Sequence, residues 1–174
     1  MTVRNYFKFN AAVAPIKVGV LPLSNHSSLE SIVIEMNTKI TRMGISCKVD
    51  ASGAQIGRRY ARMDEIGVPF AIVADFNTVG YETTKDGCVT LRERDTMEQI
   101  RVSTEEAPLI IRDLCDEIKT WAAVVAQYGL VAGSALSKEG QVPKVPIRSG
   151  GGAPDEQATK LIVSKSGFSR PKDL

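Results

Sequence analysis

A short basic segment in this chain ends at a glycine and leads directly into an apolar run, and this combination restricts the possible folds. The basic segment covers residues 57–67, and the apolar run covers residues 68–76. Together they predict a helix that ends at Gly67, followed by a strand that is buried on both faces. Pro69 stands at the start of that strand, where a missing N–H is tolerated. A helix joined to such a strand is typical of an α/β sheet.

Arg58 and Arg59 stand at the start of the predicted helix. A helix N-terminus already carries partial positive charge and unpaired amides, so basic side chains there cost stability unless an anion is bound. A phosphate would remove that cost, which makes this segment a candidate phosphate site. The alternative is that Arg58, Arg59 and Arg62 form only a solvated helix face, with Arg62 paired to Glu65.

The rest of the chain predicts further strands and helices around this unit. Alternating and apolar runs predict strands over residues 16–23, 45–49, 88–95 and 99–102. Helical periodicity predicts a helix over residues 29–43 with a capping box at Ser27, a helix that follows a second capping box at Ser103, and a short helix from about Thr120 to Gly129. The second of these helices is predicted to bury Ile118 and Trp121. The order of strands and helices predicts an α/β sheet with right-handed crossovers, which becomes mixed where later strands turn back after a polar connection over residues 77–87.

Length and charge allow one domain with extensions. The 174 residues predict a domain over residues 16–129, an incoming strand or linker over residues 1–15, and a flexible tail rich in Gly and Pro over residues 130–174. The net charge is +2, but the predicted domain holds 16 acidic against 13 basic side chains. Binding to nucleic acid would therefore have to come from a local patch and not from overall charge.

Several classes of protein are disfavoured. The sequence contains no apolar run long enough to span a membrane, and Pro15 and Lys17 interrupt the N-terminal apolar stretch, which argues against a signal peptide. We therefore expect a cytoplasmic protein without a membrane partner, with a mitochondrial form as the alternative. Cys47, Cys88 and Cys115 lack the spacing of a disulfide framework or a zinc site.

Catalytic and metal-binding motifs are absent from the sequence. His26 is the single histidine and lies in a polar loop, so a nucleophile–histidine pair has no second candidate base. Asp64 and Glu65 are adjacent and point to different faces of the predicted helix, so they do not form a catalytic pair of carboxylates. The sequence therefore predicts neither a catalytic centre nor a bound cofactor in this chain.

Six arginines are predicted to converge on one region of the sheet: Arg58, Arg59, Arg62, Arg92, Arg94 and Arg101. The planar guanidinium donates hydrogen bonds in pairs and stacks on rings, which suits phosphates and base edges. Glu93 or Asp95 could in addition accept a hydrogen bond from the amino group of cytosine. The pattern favours an interface with single-stranded RNA. The alternative is a ladder of salt bridges within residues 92–95.

Three stretches of the chain, residues 14–23, 56–70 and 90–101, resemble the C-terminal anticodon-binding domain of eukaryotic and archaeal-type glycyl-tRNA synthetase. The resemblance extends over roughly residues 6–128. The helix that begins Gly57-Arg58-Arg59, followed by Gly67-Val68-Pro69, is similar to a motif shared more widely by class II synthetases for histidine, proline and threonine.

The resemblance implies a mixed five-stranded sheet flanked by helices, and a partner, glycine tRNA, that is held by its anticodon loop. It also implies a separate catalytic domain that joins glycine to tRNA with ATP and magnesium, and a homodimer formed through that absent domain. On this resemblance, Arg92, Glu93 and Arg94 lie against the anticodon bases. The helix start, with Arg58, Arg59 and Arg62, contacts the RNA backbone or its phosphates.

The chain departs from the family pattern in the loop before this helix. Ala51, Gly53 and Ala54 stand where the family has a second acidic residue and serines, and Met63 replaces a threonine. Two alternative functions stay open. One is a free-standing, non-catalytic relative that acts as an RNA-binding or accessory protein, and the other is an unrelated flavodoxin-like enzyme, although no cofactor loop is visible.

Overall fold

Five short strands form one mixed sheet in the structure, a computed structural model that describes residues 5–131. In chain order the strands are Val18–Pro22 (β1), Cys47–Val49 (β2), Phe70–Ala74 (β3), Cys88–Glu93 (β4) and Gln99–Ser103 (β5). Their order across the sheet is β2-β1-β3-β4-β5. The first three are parallel, whereas β4 runs antiparallel to both β3 and β5. The predicted mixed five-stranded α/β sheet is therefore confirmed.

Helices cover both faces of this sheet. They are Glu30–Arg42 (α1), Ile56–Glu65 (α2), Phe76–Val79 (α3), Glu106–Cys115 (α4) and Trp121–Tyr128 (α5). The connection through α1 leads from β1 to β2 at one edge, and the connection through α2 leads back across β1 to β3. Right-handed crossovers in opposite directions place α1 and α2 on opposite faces.

Alternation along the strands divides the core into two layers. On one face, Val18 of β1 and Ile72 of β3 pack in a large apolar cluster with side chains of α1, α4 and α5. On the other face, Leu21 of β1 and Val73 of β3 pack against Met63 of α2. Both faces of β1 and β3 are thus buried, which explains why these strands are almost continuously apolar in the sequence.

The face of the sheet that carries α2 is only half covered. Within residues 5–131, the apolar cluster beneath α2 includes no side chain from β4 or β5. Val89 and Val102 of these strands face the opposite layer and are buried, whereas Thr90 and its cross-strand partner Arg101 lie on the α2 side and are partly exposed. The α2 side of β4 and β5 is consequently a polar surface, which we call the open face.

Three local predictions are corrected by the structure. The helix that was predicted to bury Ile118 ends at Cys115, because Glu117 adopts a left-handed backbone (φ 58°) and reverses the chain. Ile118 is therefore 68 % exposed, and Trp121 instead begins α5. The predicted cap at Ser27 is replaced by a 3₁₀ turn in which the His26 ring accepts a hydrogen bond from the Ser28 N–H. The polar connection after β3 contains the helix α3, which was not predicted and is capped by Asp75.

Parts of the predicted domain organisation lie outside the described residues. Residues 1–4 and 132–174 are in this group, so the predicted flexible tail over residues 130–174 stays a prediction. Residues 5–15 contain no helix or strand. Among the helices of residues 5–131, none has the length and apolar character needed to cross a membrane.

Candidate nucleic-acid interface

Arg59 is a buried cation that ties together the loops at the carboxyl ends of β1 and β2. Its side chain is 2 % exposed. Nε donates to the Ala54 carbonyl at 2.8 Å, Nη1 donates to the Pro22 carbonyl, and Nη2 donates to Asn25 Oδ1 at 2.8 Å. These three acceptors supply the negative partial charge that a cation at a helix start needs. Arg59 therefore reaches its partners inside the protein and does not need a bound phosphate.

Arg62 and Arg58 lie on the outer side of the same helix. Arg62 pairs with Asp50 Oδ2 at 2.6 Å and donates to Ser52 Oγ, so the alternative pairing with Glu65 is wrong. Burial alone would raise the pKa of Asp50, but the hydrogen bonds from Ser52 and Arg62 outweigh it and lower that pKa. Arg58 is exposed and forms no ion pair with any side chain of residues 5–131. Arg58 is therefore the arginine at the start of α2 that is available to bind an anion.

Arg92 lies on the α2 side of β4, beneath α2. It is 6 % exposed and forms a bidentate ion pair with Asp64. Its guanidinium carbon also lies 4.5 Å from the centre of the Tyr60 ring. Burial raises the pKa of Tyr60 to about 12, an effect that Arg92 opposes and Asp64 reinforces.

Arg94 lies just after β4, next to the amino end of β3, and holds the N-terminal segment. It is 3 % exposed and donates to the Gly67 carbonyl and the Phe9 carbonyl, each at 2.9 Å, and to Asp95 at 2.7 Å. Gly67 has φ of +81°, and a Cβ there would lie 2.3 Å from the Phe9 ring. Only glycine satisfies both the backbone conformation and this close contact.

Glu93 closes the turn between β4 and β5. Its carboxylate accepts from the Asp95 N–H at 2.9 Å, from the Thr96 N–H at 2.7 Å and from the Thr96 hydroxyl at 2.8 Å. Within residues 92–95 the one salt bridge joins the neighbours Arg94 and Asp95. The alternative of a cross-strand ladder is therefore wrong, because Arg92 pairs with a helix and Glu93 with backbone amides.

Arg101 is the cation of the open face. It donates to Asp75 at 2.5 and 3.0 Å, to Asp86 at 2.8 Å and to Thr90 Oγ1 at 3.1 Å. Burial alone would raise the pKa of Asp75, but the hydrogen bonds from Arg101 and from the Thr78 N–H outweigh it and lower that pKa. On the open face the Arg101 guanidinium, which is 26 % exposed, therefore directs its donors to two carboxylates and a hydroxyl of the protein itself.

The predicted convergence of the six arginines is only partial. Three of them lie on α2, which begins near the carboxyl ends of β1 and β2, whereas Arg94 lies by the amino end of β3. Arg59, Arg92 and Arg94 direct their donors into the protein. The role of Arg58, Arg59, Arg62, Arg92, Glu93 and Arg94 in RNA binding stays a prediction, and exposure favours Arg58 and Arg62 for direct contact.

An aromatic group that the sequence did not predict lies in the connections that follow β1 and β3. The His26 ring lies 4.3 Å from Tyr81 and 5.8 Å from Phe76, and the Phe76 and Tyr81 rings are 5.6 Å apart. Tyr81 is 39 % exposed. The signal available in the sequence was two aromatic residues in a polar connection directly after a buried strand.

Comparison with known protein families identifies the domain. The family described as anticodon binding domain matches residues 17–114, which is more than half of the chain. The chain belongs to this family. The match covers the sheet from β1 onwards and most of α4. The predicted resemblance to the anticodon-binding domain of glycyl-tRNA synthetases is supported further by relatives from eukaryotes and archaea.

Several relatives of this anticodon-binding domain are named glycine–tRNA ligases. The protein from Drosophila melanogaster is 42 % identical over 135 residues, which cover 78 % of this chain and 17 % of the relative. The protein from Methanothermobacter thermautotrophicus is 48 % identical over 103 residues, or 59 % of this chain and 17 % of the relative. The chain therefore spans about a sixth of the length of the curated relatives it matches.

Solved structures with the same fold come from other synthetases. The RNA-binding domain of threonyl-tRNA synthetase from Cryptosporidium parvum is similar over 62 % of this chain and 25 % of its own, with a TM-score of 0.54 and 21 % identity. Prolyl-tRNA synthetase from the same organism, complexed with L-proline and AMP, is similar over 64 % of this chain and 24 % of its own, with a TM-score of 0.54 and 18 % identity. At this identity the similarity establishes the fold alone.

Proposed function

We propose that this chain is the tRNA-binding module of a glycine–tRNA ligase and binds glycine tRNA through its anticodon loop. The observation that carries the proposal is the similarity to glycine–tRNA ligases over as much as 78 % of the chain. The family description, anticodon binding domain, supports the same partner.

The geometry supports two kinds of RNA contact at the interface, one to phosphates and one to bases. Arg58, Arg62 and Lys48 are exposed at the edge formed by α2 and β2, and they are suited to contact phosphates. Thr90 of the open face accepts from Arg101 and keeps its own hydroxyl hydrogen, so it is suited to a hydrogen bond with an unstacked base. Such a local patch is what an acidic domain needs in order to bind RNA.

The chemistry of the ligase belongs to a catalytic domain outside this chain. On the proposal, that domain joins glycine to tRNA with ATP and magnesium, and it forms the homodimer of the whole enzyme. The full enzyme acts in the cytoplasm, with a mitochondrial form as the alternative. In this division of labour the module selects the tRNA and holds its anticodon, and needs no cofactor of its own.

Binding of tRNA transcripts to the 174-residue chain tests this proposal. We expect a transcript with a glycine anticodon to bind more tightly than the same transcript with a changed anticodon. We expect Arg58→Ala to weaken binding to all transcripts alike, because a phosphate contact carries no sequence information. Affinity should fall with salt at a slope of about −0.7 per phosphate contact, for roughly two to five contacts.

Arg112→Ala is the matched control, because Arg112 is also exposed on a helix but lies on α4, across the sheet from α2. This control should bind all transcripts as the parent does. Equal binding to every anticodon, or no binding to tRNA, would overturn the proposal.

The free-standing alternative is separated by the mass of the native polypeptide. An antibody to this domain should detect a band several times larger than 18.8 kDa if the module is part of a ligase. A band near 18.8 kDa would favour a module that acts without a catalytic domain.

A further inference from the structure

Asp86-Gly87 is the single Asp-Gly pair in the sequence, and glycine follows none of its asparagines. The pair ends the connection between β3 and β4, and Asp86 is exposed. In an Asp-Gly pair the backbone nitrogen of the glycine can attack the aspartate side chain, because glycine has no Cβ that would hinder the approach. The pair is therefore a chemically reactive point of the main chain.

The structure leaves the Gly87 nitrogen available for this attack. Its N–H donates no hydrogen bond within residues 5–131, so no acceptor among these residues holds the nitrogen in place. Gly87 has φ of +64°, and a Cβ added there would meet no atom within 4 Å. The space beside Gly87 is thus open, and a five-membered ring between the Asp86 side chain and the Gly87 nitrogen has room to form.

The Asp86 carboxylate, in contrast, is held on both of its oxygens. Oδ1 accepts from the Cys88 N–H at 2.9 Å and from Arg101 Nη2 at 3.0 Å. Oδ2 accepts from Arg101 Nη2 at 2.8 Å and from Nε at 3.1 Å. The same guanidinium is fixed by Asp75 at 2.5 and 3.0 Å. Ring closure requires the Asp86 side chain to turn away from these donors, so the charged hydrogen bonds from Arg101 oppose it.

We propose that Asp86-Gly87 is a site of spontaneous isomerisation and that the ion pair with Arg101 controls its rate. The Gly87 nitrogen attacks the protonated Asp86 carboxyl group, a C–N bond forms, and the N–H hydrogen leaves with the carboxyl hydroxyl as water. Solvent water then opens the resulting succinimide at one of its two carbonyls. Cleavage of one C–N bond restores aspartate, and cleavage of the other leaves isoaspartate, which is linked to Gly87 through its side-chain carbonyl.

Isomerisation changes the connection where it enters β4 at the open face. The main chain gains one methylene group directly before Gly87, and the free carboxylate moves to the α-carbon of residue 86. The contacts of the Asp86 side chain with Arg101 and with the Cys88 N–H are then lost, whereas Arg101 keeps its contacts with Asp75. The inference concerns the chemistry of the chain itself and does not rest on the proposed function.

Incubation of the full chain at physiological temperature and neutral pH tests the proposal, with isoaspartate at residue 86 measured by peptide mapping and mass spectrometry. We expect Arg101→Ala to form isoaspartate about three- to tenfold faster than the parent, as the loss of a partly exposed, bidentate ion pair predicts. Asp86→Glu should form none at this position, because its longer side chain would have to close a six-membered ring. Arg112→Ala, which removes an exposed arginine of α4, is the matched control and should behave as the parent does.

Asp75→Asn separates the ion pair from a general loss of stability. It removes one partner of the Arg101 guanidinium but leaves the contacts between Arg101 and Asp86, so isoaspartate should form within about twofold of the parent rate. Arg101→Lys keeps the charge without the planar fork, so its rate should lie between those of the parent and Arg101→Ala. This variant carries the test if Arg101→Ala does not fold.

Two results would overturn the inference. Equal rates of isoaspartate formation in the parent and in the Arg101 variants would mean that the ion pair does not restrain Asp86. A rate for Asp75→Asn as high as that for Arg101→Ala would mean that loosening of the whole connection sets the rate. Urea unfolding of each variant before incubation shows whether a faster rate comes from global unfolding.

Discussion

Arg92 of β4 and Asp64 of α2 form a buried, bidentate ion pair across the two elements. Nη1 lies 3.1 Å from Oδ1, and Nη2 lies 3.2 Å from Oδ2. The two side chains are 7 % and 4 % exposed, so the pair is shielded from solvent and from RNA. This pair anchors α2 to a strand whose own side of the sheet is otherwise open. Arg92, which the resemblance predicted to touch anticodon bases, thus positions α2, the helix that carries the exposed Arg58 and Arg62.

Arg92→Ala is expected to destabilise the fold. Loss of one partner of a buried ion pair leaves the other buried charge without its main compensation, which costs about 3–5 kcal/mol. Urea denaturation should show this loss in the free energy of unfolding. Arg92→Lys should fall between Arg92→Ala and the parent, because lysine keeps the charge but loses the planar fork. A loss below about 1 kcal/mol for Arg92→Ala would contradict a structural role.

Adjacent arginines at the start of α2 should differ sharply in their effect on stability. Arg59→Ala leaves two backbone carbonyls and the Asn25 amide oxygen without a donor, and we expect a loss of about 2–4 kcal/mol. Arg58→Ala should change the free energy of unfolding by less than about 0.5 kcal/mol, since the side chain is exposed. Thermal or urea unfolding of the two variants measures the difference. Equal losses would mean that the buried hydrogen bonds of Arg59 contribute little.

Arg94→Ala is expected to release the N-terminal segment. The Arg94 guanidinium joins the Phe9 carbonyl to the Gly67 carbonyl and lies 5.5 Å from the Tyr6 ring. Without it, amide hydrogen exchange should speed up in residues 6–11 before it changes in β1 or β3. Arg101→Ala serves as the control, because Arg101 lies on the open face and has no contact with that segment. Unchanged exchange in residues 6–11 would show that the Phe9 packing alone holds the segment.

Stability should fall in acid partly through Asp75. Its pKa in the folded protein is lowered because the hydrogen bonds from Arg101 and Thr78 outweigh the opposing effect of burial. A carboxylate whose folded pKa lies below its unfolded value of about 3.9 adds stability above that pH and loses it as the pH falls through the folded pKa. Asp75→Asn should therefore flatten the decline in the free energy of unfolding between about pH 5 and pH 2. Urea titrations across that range measure it, and an unchanged slope would contradict the assignment.

The sequence determined the order of strands and helices because these signals are local. Helical spacing, apolar runs and glycines at helix ends depend on neighbouring residues, and they predicted a mixed α/β sheet that the structure contains. The helical periodicity did not predict the end of α4, where a single residue changes the direction of the chain. Glu117 adopts a left-handed backbone, so α4 ends before it and Ile118 is exposed. The spacing of apolar residues does not predict such a change of direction.

The candidate site could be predicted only as a set of residue types. Thr90 and Arg92 lie on the same side of β4, and the sequence could not show that α2 covers Arg92 and leaves Thr90 on the open face.

Local patterns in the sequence thus predicted the fold class, the arginine-rich helix start and the resemblance to an anticodon-binding domain. Which arginines are buried depends on the tertiary structure. Arg59 donates a hydrogen bond to the Pro22 carbonyl, 37 residues away in the sequence, and Arg94 donates to the Phe9 carbonyl, 85 residues away. A guanidinium is buried only where the folded chain brings enough acceptors around it to replace water, and the positions of distant carbonyls are fixed by packing and not by spacing along the chain.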